Sequence, residues 1–204
     1  MSLNRFEGKK NIKLAIDSFV WLKKHISQDT FEGIRLVIAG GYDRRLEENR
    51  SYLKELEELC WKNGLEYLTL FHNDSRSGVD LDVPVLFLAS ISEDQRNYLL
   101  RNSLCLLYTP VDEHFGIVPI EAMSCGIPVI AANTGGPCET IINGETGFLC
   151  DPTSRSFGTA IQRLLLGDYD LQKLHVAAKR HVNSKFRLEK FGQNLERILL
   201  DVLN

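Results

Sequence analysis

The sequence predicts an α/β fold, in which a doubly wound parallel sheet is covered by helices on both faces and followed by a helical C-terminal tail. Short, continuously apolar segments alternate along the chain with segments that have helical periodicity. The chain has 204 residues, of which 44% are hydrophobic and 25% are charged, as is ordinary for a globular protein. The pattern contains no internal repeat and no domain boundary, so we expect a single domain.

The first half of the chain alternates between helical and extended patterns. Apolar side chains recur at helical spacing in two segments, which are 10–26 and 47–62. The second of these helices is expected to end at Asn63 and Gly64. The short apolar runs that predict strands are 34–39, 68–71 and 83–88.

The second half continues the alternation and then becomes helical. Ser92 has the sequence context of an N-cap and predicts that a helix begins beside it. Gly126 is expected to end the next helix. The predicted strands are 104–108, 128–132 and 147–150, and the predicted helical segments are 118–124 and 154–203, with breaks near Gly167 and Asn183.

Composition and spacing exclude several classes of function. The formal net charge is −3, so the chain has no basic excess that would favour a nucleic-acid partner. The apolar runs are too short to cross a bilayer, and the first residues lack the apolar centre of a signal peptide. Five cysteines without a C-x-x-C pair indicate neither a disulfide framework nor a zinc site, and favour a reducing compartment.

A dense group of polar residues lies where a predicted strand ends and a helix begins, at residues 109–123. Open α/β sheets bind ligands beyond the carboxyl ends of their strands, which directs attention to this segment and to residues 40–41 and 133–137. The amides near the helix start, with the helix dipole, suit a phosphate group. Glu113 and Glu121 flank that point and can accept hydrogen bonds from sugar hydroxyls. The alternative is that Glu113 is a turn residue and Glu121 a solvated helix residue.

These residues carry a resemblance to a known family. The segment from Glu113 to Glu121 resembles the E-x7-E motif of the retaining GT-B glycosyltransferases of family 4, whose active site lies between two Rossmann-like domains. Further segments that are similar to the family are 5–11, 126–130, 135–139 and 143–149. The amino-acid sequences of segments 38–43 and 107–119 are most similar to those of family members that transfer mannose from GDP-mannose to a dolichol-linked oligosaccharide. Residues 68–82 depart from the pattern, as an insertion would.

The resemblance implies a role for each matching residue. Arg5 and Lys10 match the basic pair that neutralises the donor diphosphate, although Lys9 and Lys10 also read as a solvated basic pair. Glu113 matches the glutamate that binds hydroxyls of the donor sugar, and together with Arg5 and Lys10 it is the implied catalytic group. Glu121 matches the glutamate that binds the ribose. The other residues implied to line the donor site are Gly40, Gly41, His114, Phe115, Gly116, Ile117 and Val118.

The resemblance also implies an organisation of the protein. Residues 4–204 correspond to a donor-binding domain, and the acceptor domain is absent. Independently of the resemblance, the sequence of residues 1–3 is that expected of a remnant of cloning. We therefore expect a soluble fragment that binds a nucleotide sugar without a metal cofactor and is inactive alone. In the full enzyme, a lipid-linked oligosaccharide acceptor and contact with the cytosolic face of the endoplasmic reticulum membrane would involve the absent sequence.

Two other functions stay open at this point. The donor of the family member is alternatively a UDP-sugar, because the sequence does not locate the pocket for the base. The chain is alternatively a noncatalytic nucleotide-binding or interaction module with the same layered fold. The last predicted helix, near residues 188–203, has an apolar face, and we expect it to pack on its own core or on a partner domain.

Overall fold

The computed structural model describes residues 1–72 and 82–203, and these residues contain seven strands. Every strand pair is parallel, which agrees with the continuously apolar character of the strand segments. The strands are β1 Ser2–Leu3, β2 Leu36–Gly40, β3 Tyr67–Phe71, β4 Val85–Ala89, β5 Leu106–Tyr108, β6 Val129–Ala132 and β7 Gly147–Cys150.

Helices connect the strands and form the C-terminal tail. The described residues contain nine α-helices: α1 Ile12–Lys23, α2 Gln28–Glu32, α3 Glu47–Lys62, α4 Glu93–Arg101, α5 Ile117–Ser124, α6 Pro137–Thr140, α7 Ser154–Leu165, α8 Leu171–Lys185 and α9 Leu188–Leu203. The prediction of an N-cap at Ser92 is confirmed, because its side chain accepts from the Gln95 amide while the Gln95 side chain accepts from the Ser92 amide. Gly126 has a φ of 85° just after α5, as a helix-ending glycine requires.

The seven strands form one sheet whose order reverses beside β1. One group has the order β3-β4-β2-β1, and the other has the order β5-β6-β7. The amino group of Met1 donates to the Cys105 carbonyl at 2.9 Å, and the Met1 carbonyl accepts from the Leu107 amide at 2.7 Å. These are the hydrogen bonds of a parallel pair, so β5 lies directly against the β1 edge. The junction of β1 and β5 is therefore the topological switch point of the sheet.

Alternate residues of the strands enter two apolar cores, one on each face of the sheet. Ile38 and Ile130 belong to the core that α1, α3 and α7 cover. Ala39 and Ala131 belong to the core that α4, α5 and α8 cover. Helices on both faces explain why the strands are apolar throughout, and they confirm the predicted doubly wound arrangement.

Three short elements were missed by the sequence prediction, namely β1, α2 and α6. Each has two to five residues, which is too short to show a helical or a strand period. The predicted breaks near Gly167 and Asn183 are confirmed, because α7 ends at Leu165 before α8 begins, and α8 ends at Lys185 with a turn at residues 186–187. Residues 1–3, expected to be a remnant of cloning, are buried and lie in the middle of the sheet, between β2 and β5.

The predicted insertion at 68–82 is described only in part. Its first residues lie in β3, which pairs with β4 in register from Tyr67 opposite Val85 to Phe71 opposite Ala89. Residues 73–81 of that prediction lie outside the described residues.

Helix α9 does not pack on the core of the chain. Its residues are exposed along the whole helix, including the apolar residues Phe191, Leu195 and Ile198. Of the two predicted alternatives, packing on its own core is therefore wrong, and packing on a partner domain stays a prediction. Within residues 1–72 and 82–203, the structure contains no helix with the length and apolar character that a membrane span requires.

Candidate functional site

The loops that follow β1 and β5 leave the sheet side by side at its carboxyl edge. The Thr109 hydroxyl donates to the Lys10 carbonyl at 2.8 Å, and the Asn11 side-chain amide donates to the Thr109 carbonyl at 3.4 Å. Asn11 adopts a left-handed conformation with a φ of 48°, which asparagine tolerates better than most residues. These contacts fix the backbone that carries Lys10 beside the loop that carries Glu113.

Lys10 and Glu113 meet across the switch point. The distance between Lys10 Nζ and Glu113 Oε2 is 2.5 Å, and the side chains are only 15% and 24% exposed. The hydrogen bond from Lys10 holds the pKa of the Glu113 carboxyl below its usual range. Burial, together with the nearby Glu113 carboxylate, raises the pKa of the Tyr108 hydroxyl. Glu113 is therefore held in one position and ionised, while its assignment as a functional carboxylate stays a prediction.

The loop that carries Glu113 rests on the loop that follows β6. The Gly136 amide donates to the Glu113 carbonyl at 2.7 Å, and the Asp112 amide donates to the Thr134 hydroxyl at 3.0 Å. A Cβ on Gly136 would lie 2.4 Å from the Phe115 Cα, a distance that real Cβ atoms do not reach. The glycine therefore permits the close approach of the two loops, and this contact sets the height of Glu113 above the sheet.

Helix α5 points its N-terminus into the same region. Gly116 precedes it with a φ of 83°, and no side chain caps the helix. A Cβ on Gly116 would lie 3.2 Å from the Tyr108 hydroxyl, so glycine also allows tight packing here. The first-turn amides, with the helix dipole, form a site for an anion. Phe115 and Ile117 are exposed beside this helix start.

Glu121 lies one turn further along α5 and contacts α4. Its Oε1 atom accepts from Arg96 Nη1 at 2.9 Å. Two atoms of the pair, Glu121 Oε2 and Arg96 Nε, are buried and have no hydrogen-bond partner among the described residues. A buried acceptor without a partner is unfavourable, and a hydroxyl that donates to it would remove the cost.

Arg5, Gly40 and Gly41 lie at the other side of the same edge. They line a cleft of about 260 Å³ together with Arg96 and Val118. The Arg5 side chain is 66% exposed and pairs with Glu7 at 3.2 Å, so it does not join the contact between Lys10 and Glu113. No residue with a side chain can replace Gly40 without a shift of the backbone, because a Cβ there would lie 1.9 Å from the Asn4 carbonyl oxygen.

The structure brings most of the predicted site residues to one edge of the sheet. Lys10 and Glu113 are in direct contact, while His114 is exposed in the loop and Arg5 stays apart. Two supporting residues were missed, namely Arg96 and Tyr108. The signal for Tyr108 was present, since a tyrosine at the end of a buried strand needs a partner for its hydroxyl. Nothing in the sequence places Arg96 beside Glu121.

Comparison with known families agrees with this geometry. Residues 1–181 match the model of a family described as glycosyl transferases group 1. A solved structure with a similar fold is a sucrose-phosphate synthase from Thermosynechococcus elongatus, with a TM-score of 0.75 and 25% sequence identity. The similarity covers 99% of this chain and 45% of that chain. The expected Rossmann-like fold of a GT-B glycosyltransferase domain is confirmed.

Curated relatives are more similar in sequence. The chain is 41% identical to an alpha-1,3/1,6-mannosyltransferase ALG2 of Rhizomucor pusillus, over 99% of this chain and 45% of the relative. It is also 41% identical to the protein of the same name in Dictyostelium discoideum, over 98% of this chain and 44% of the relative. The chain thus spans less than half the length of these relatives.

Proposed function

The chain belongs to the glycosyl transferases group 1 family, and we propose that it is the donor-binding domain of a retaining mannosyltransferase that uses GDP-mannose. The acceptor we propose is a dolichol-linked oligosaccharide of the protein N-glycosylation pathway. Support comes from the name and the 41% identity of the relatives over nearly the whole chain. The acceptor domain and the contact with the cytosolic face of the endoplasmic reticulum belong, in this proposal, to the part of the relatives that this chain does not span.

The observation that carries the proposal is the contact of Lys10 with Glu113 across the switch point. A cation and a carboxylate at that point match two neighbouring parts of a nucleotide sugar, namely the diphosphate and the hydroxyls of the sugar. In the proposed complex, Lys10 turns to the diphosphate, and Arg5, which is exposed in the adjacent cleft, approaches it from the other side. Glu113 then accepts hydrogen bonds from the hydroxyls of the sugar.

The start of α5 supports the proposed position of the diphosphate. The amides of Gly116, Ile117 and Val118 lie at a helix N-terminus that no side chain caps. An anion there gains hydrogen bonds and a favourable interaction with the helix dipole. Glu121, on the next turn, has a buried oxygen without a partner among the described residues, and we assign it to the ribose hydroxyls.

In the proposed reaction, the bond between sugar carbon C1 and the diphosphate oxygen breaks, and its electron pair leaves with the diphosphate. A bond forms between C1 and the acceptor oxygen on the same face, and the proton of that hydroxyl leaves with the nucleoside diphosphate. Arg5, Lys10 and the first-turn amides of α5 stabilise the developing negative charge, the task that a metal ion performs in other transferases. Glu113 orients the sugar and is not assigned as a nucleophile.

The test is calorimetric titration of this chain with GDP, GDP-mannose, UDP and UDP-glucose, in buffer without divalent metal. We expect binding of the two guanosine ligands and no response to the uridine ligands. The variant Lys10→Met is expected to bind GDP about tenfold more weakly and guanosine unchanged, because only the diphosphate contacts the ammonium. Lys9→Met is the matched control, since the Lys9 side chain is 68% exposed and pairs with Glu7.

The other outcomes each favour a different function. Preference for uridine ligands would favour a UDP-sugar transferase of the same family and would exclude the mannose assignment. No binding of any of the four ligands would favour either a noncatalytic interaction module or a donor pocket that needs the other domain of the enzyme. Titration of the full-length protein would separate these two outcomes. Equal affinities of the wild type and Lys10→Met for GDP would remove Lys10 from the proposed site.

A further inference from the structure

Arg96 was not among the predicted site residues, yet its side chain holds the Glu121 carboxylate of the site. Arg96 lies in α4, which follows β4, and Glu121 lies in α5, which follows β5. The bond between Arg96 Nη1 and Glu121 Oε1, at 2.9 Å, therefore joins helices from the two halves of the sheet. The side chains are 34% and 27% exposed, so the pair is partly shielded from water.

The hydrogen bonding of the pair is incomplete in a particular way. Arg96 engages one oxygen of Glu121, and the other oxygen, Oε2, is buried with no partner in the part of the chain that the structure describes. A charged group with an unused acceptor is unfavourable in a partly desolvated place. If the side chain shifts so that Oε2 faces the cleft, a ligand hydroxyl that donates to it would complete the hydrogen bonding of the carboxylate.

Arg96 also lines the cleft in which the proposed nucleotide would lie. This cleft is formed by Arg5, Gly40 and Gly41 from the loops after β1 and β2, and by Val118 from the first turn of α5. Arg96 therefore reaches the ligand region through Glu121 and along the cleft wall. This position distinguishes the pair from a purely structural ion pair on the outer surface, which would not line the cleft.

We propose that Arg96 is a positioning residue for ribose recognition, which fixes Glu121 through Oε1 so that Oε2 accepts from the vicinal hydroxyls of the nucleotide. The inference rests on the proposed function. Arginine suits the task because its planar fork holds a carboxylate in one orientation, whereas a lysine ammonium acts as a point charge. The second nitrogen of the fork, Nη2, lies 3.7 Å from Glu93 and steadies the guanidinium from its own helix.

The experiment compares GDP with 2′,3′-dideoxy-GDP, which lacks both ribose hydroxyls. Calorimetric titration is carried out on the wild type and on Arg96→Met, Arg96→Lys and Arg101→Met. Arg101 lies on the same helix, is exposed and serves as the matched control. The urea midpoint of each variant is measured in parallel, so that a loss of stability is separated from a loss of recognition.

We expect the wild type to prefer GDP to the dideoxy nucleotide by about tenfold or more, since hydrogen bonds to a charged group are worth about 1.5–3 kcal/mol. Arg96→Met should bind GDP about tenfold more weakly and leave the affinity for the dideoxy nucleotide within about twofold, so that the preference largely disappears. Arg96→Lys should keep part of the preference, and Arg101→Met should keep all of it.

Contrary outcomes separate this inference from the proposed function. If Arg96→Met keeps the wild-type preference, or weakens both ligands equally, Arg96 has only a structural role. A wild type that binds both nucleotides with equal affinity would overturn the assignment of Glu121 to ribose and the role of Arg96 with it, while nucleotide binding would stand. A wild type that binds neither nucleotide would overturn the proposed function itself.

Discussion

Replacement of Lys10 by methionine tests the contact at the centre of the site in the free protein. Methionine keeps the length of the side chain and removes the ammonium that lies 2.5 Å from Glu113. The backbone contact should persist, because the Thr109 hydroxyl donates to the Lys10 carbonyl and not to its side chain. The variant therefore isolates one charge-assisted hydrogen bond.

The structure sets the size of the expected effect. Both side chains are less than a quarter exposed, so the bond is worth about 1.5–3 kcal/mol, the range for hydrogen bonds to charged groups. In the corresponding contact of Lys9 with Glu7, the Lys9 side chain is 68% exposed, so this ion pair is expected to contribute about 0–1 kcal/mol. With a urea m value of about 2 kcal/mol/M, Lys10→Met should lower the unfolding midpoint by about 1 M and Lys9→Met by much less.

The effect should also depend on pH in a defined direction. Lys10 lowers the pKa of Glu113, so ionised Glu113 stabilises the fold above the ordinary glutamate pKa of about 4.3. That contribution is lost as the pH falls through the lowered pKa of the folded protein. The difference between wild type and Lys10→Met should be full at pH 7 and shrink below about pH 4.

Urea unfolding, followed by circular dichroism from pH 7 down to pH 3, measures these differences. The double variant with Glu113→Gln completes a thermodynamic cycle and gives the coupling between the two side chains. The reasoning would be refuted if Lys10→Met and Lys9→Met had equal effects, or if the loss in Lys10→Met stayed constant down to pH 3.

Two further predictions concern packing and thiol reactivity. Gly136→Ala should cost about 1–3 kcal/mol of stability and weaken nucleotide binding, since the new Cβ would collide with Phe115; urea unfolding and titration check this. Gly192→Ala, where a Cβ meets nothing within 4 Å, should lose neither, and equal losses in both variants would contradict the packing argument. Burial raises the pKa of the Cys60 thiol to about 12, so at pH 8 Cys60 should resist alkylation that modifies the exposed Cys138, as mass spectrometry would show. Rapid alkylation of Cys60 in the folded protein would contradict its burial.

The sequence predicted those elements whose residues carry their own periodic signal. Helix α3 was predicted with the bounds that the structure shows, because its apolar stripe and its closing residues Asn63 and Gly64 lie within one segment. Strand β1 could not be predicted in this way. Two residues show no period, and β1 is defined by partners in β2 and β5 that are distant along the chain.

The site was predictable as a set of residues but not as a geometry. Glu113 and Glu121 were identified by their spacing, and Lys10 by the resemblance, yet no local pattern indicates that Lys10 and Glu113 touch across 103 positions. Arg96 reads as one more charge on a solvated helix. Its contact with Glu121 exists only because α4 and α5, from different halves of the sheet, pack side by side.

The junction at Met1 gives the proposed ligand an effect on the whole molecule. Arg5 and Lys10 follow β1, the inner strand of one half of the sheet. Glu113 and α5 follow β5, the inner strand of the other half. A nucleotide that contacts both groups binds only while β1 and β5 are paired. Its binding therefore stabilises the pairing of the two halves of the sheet. At a ligand concentration of about 100 times Kd, binding adds about 2.7 kcal/mol to the stability of the state in which β1 and β5 are paired. The amide protons of β1 and β5 would then exchange with solvent only after the nucleotide dissociates.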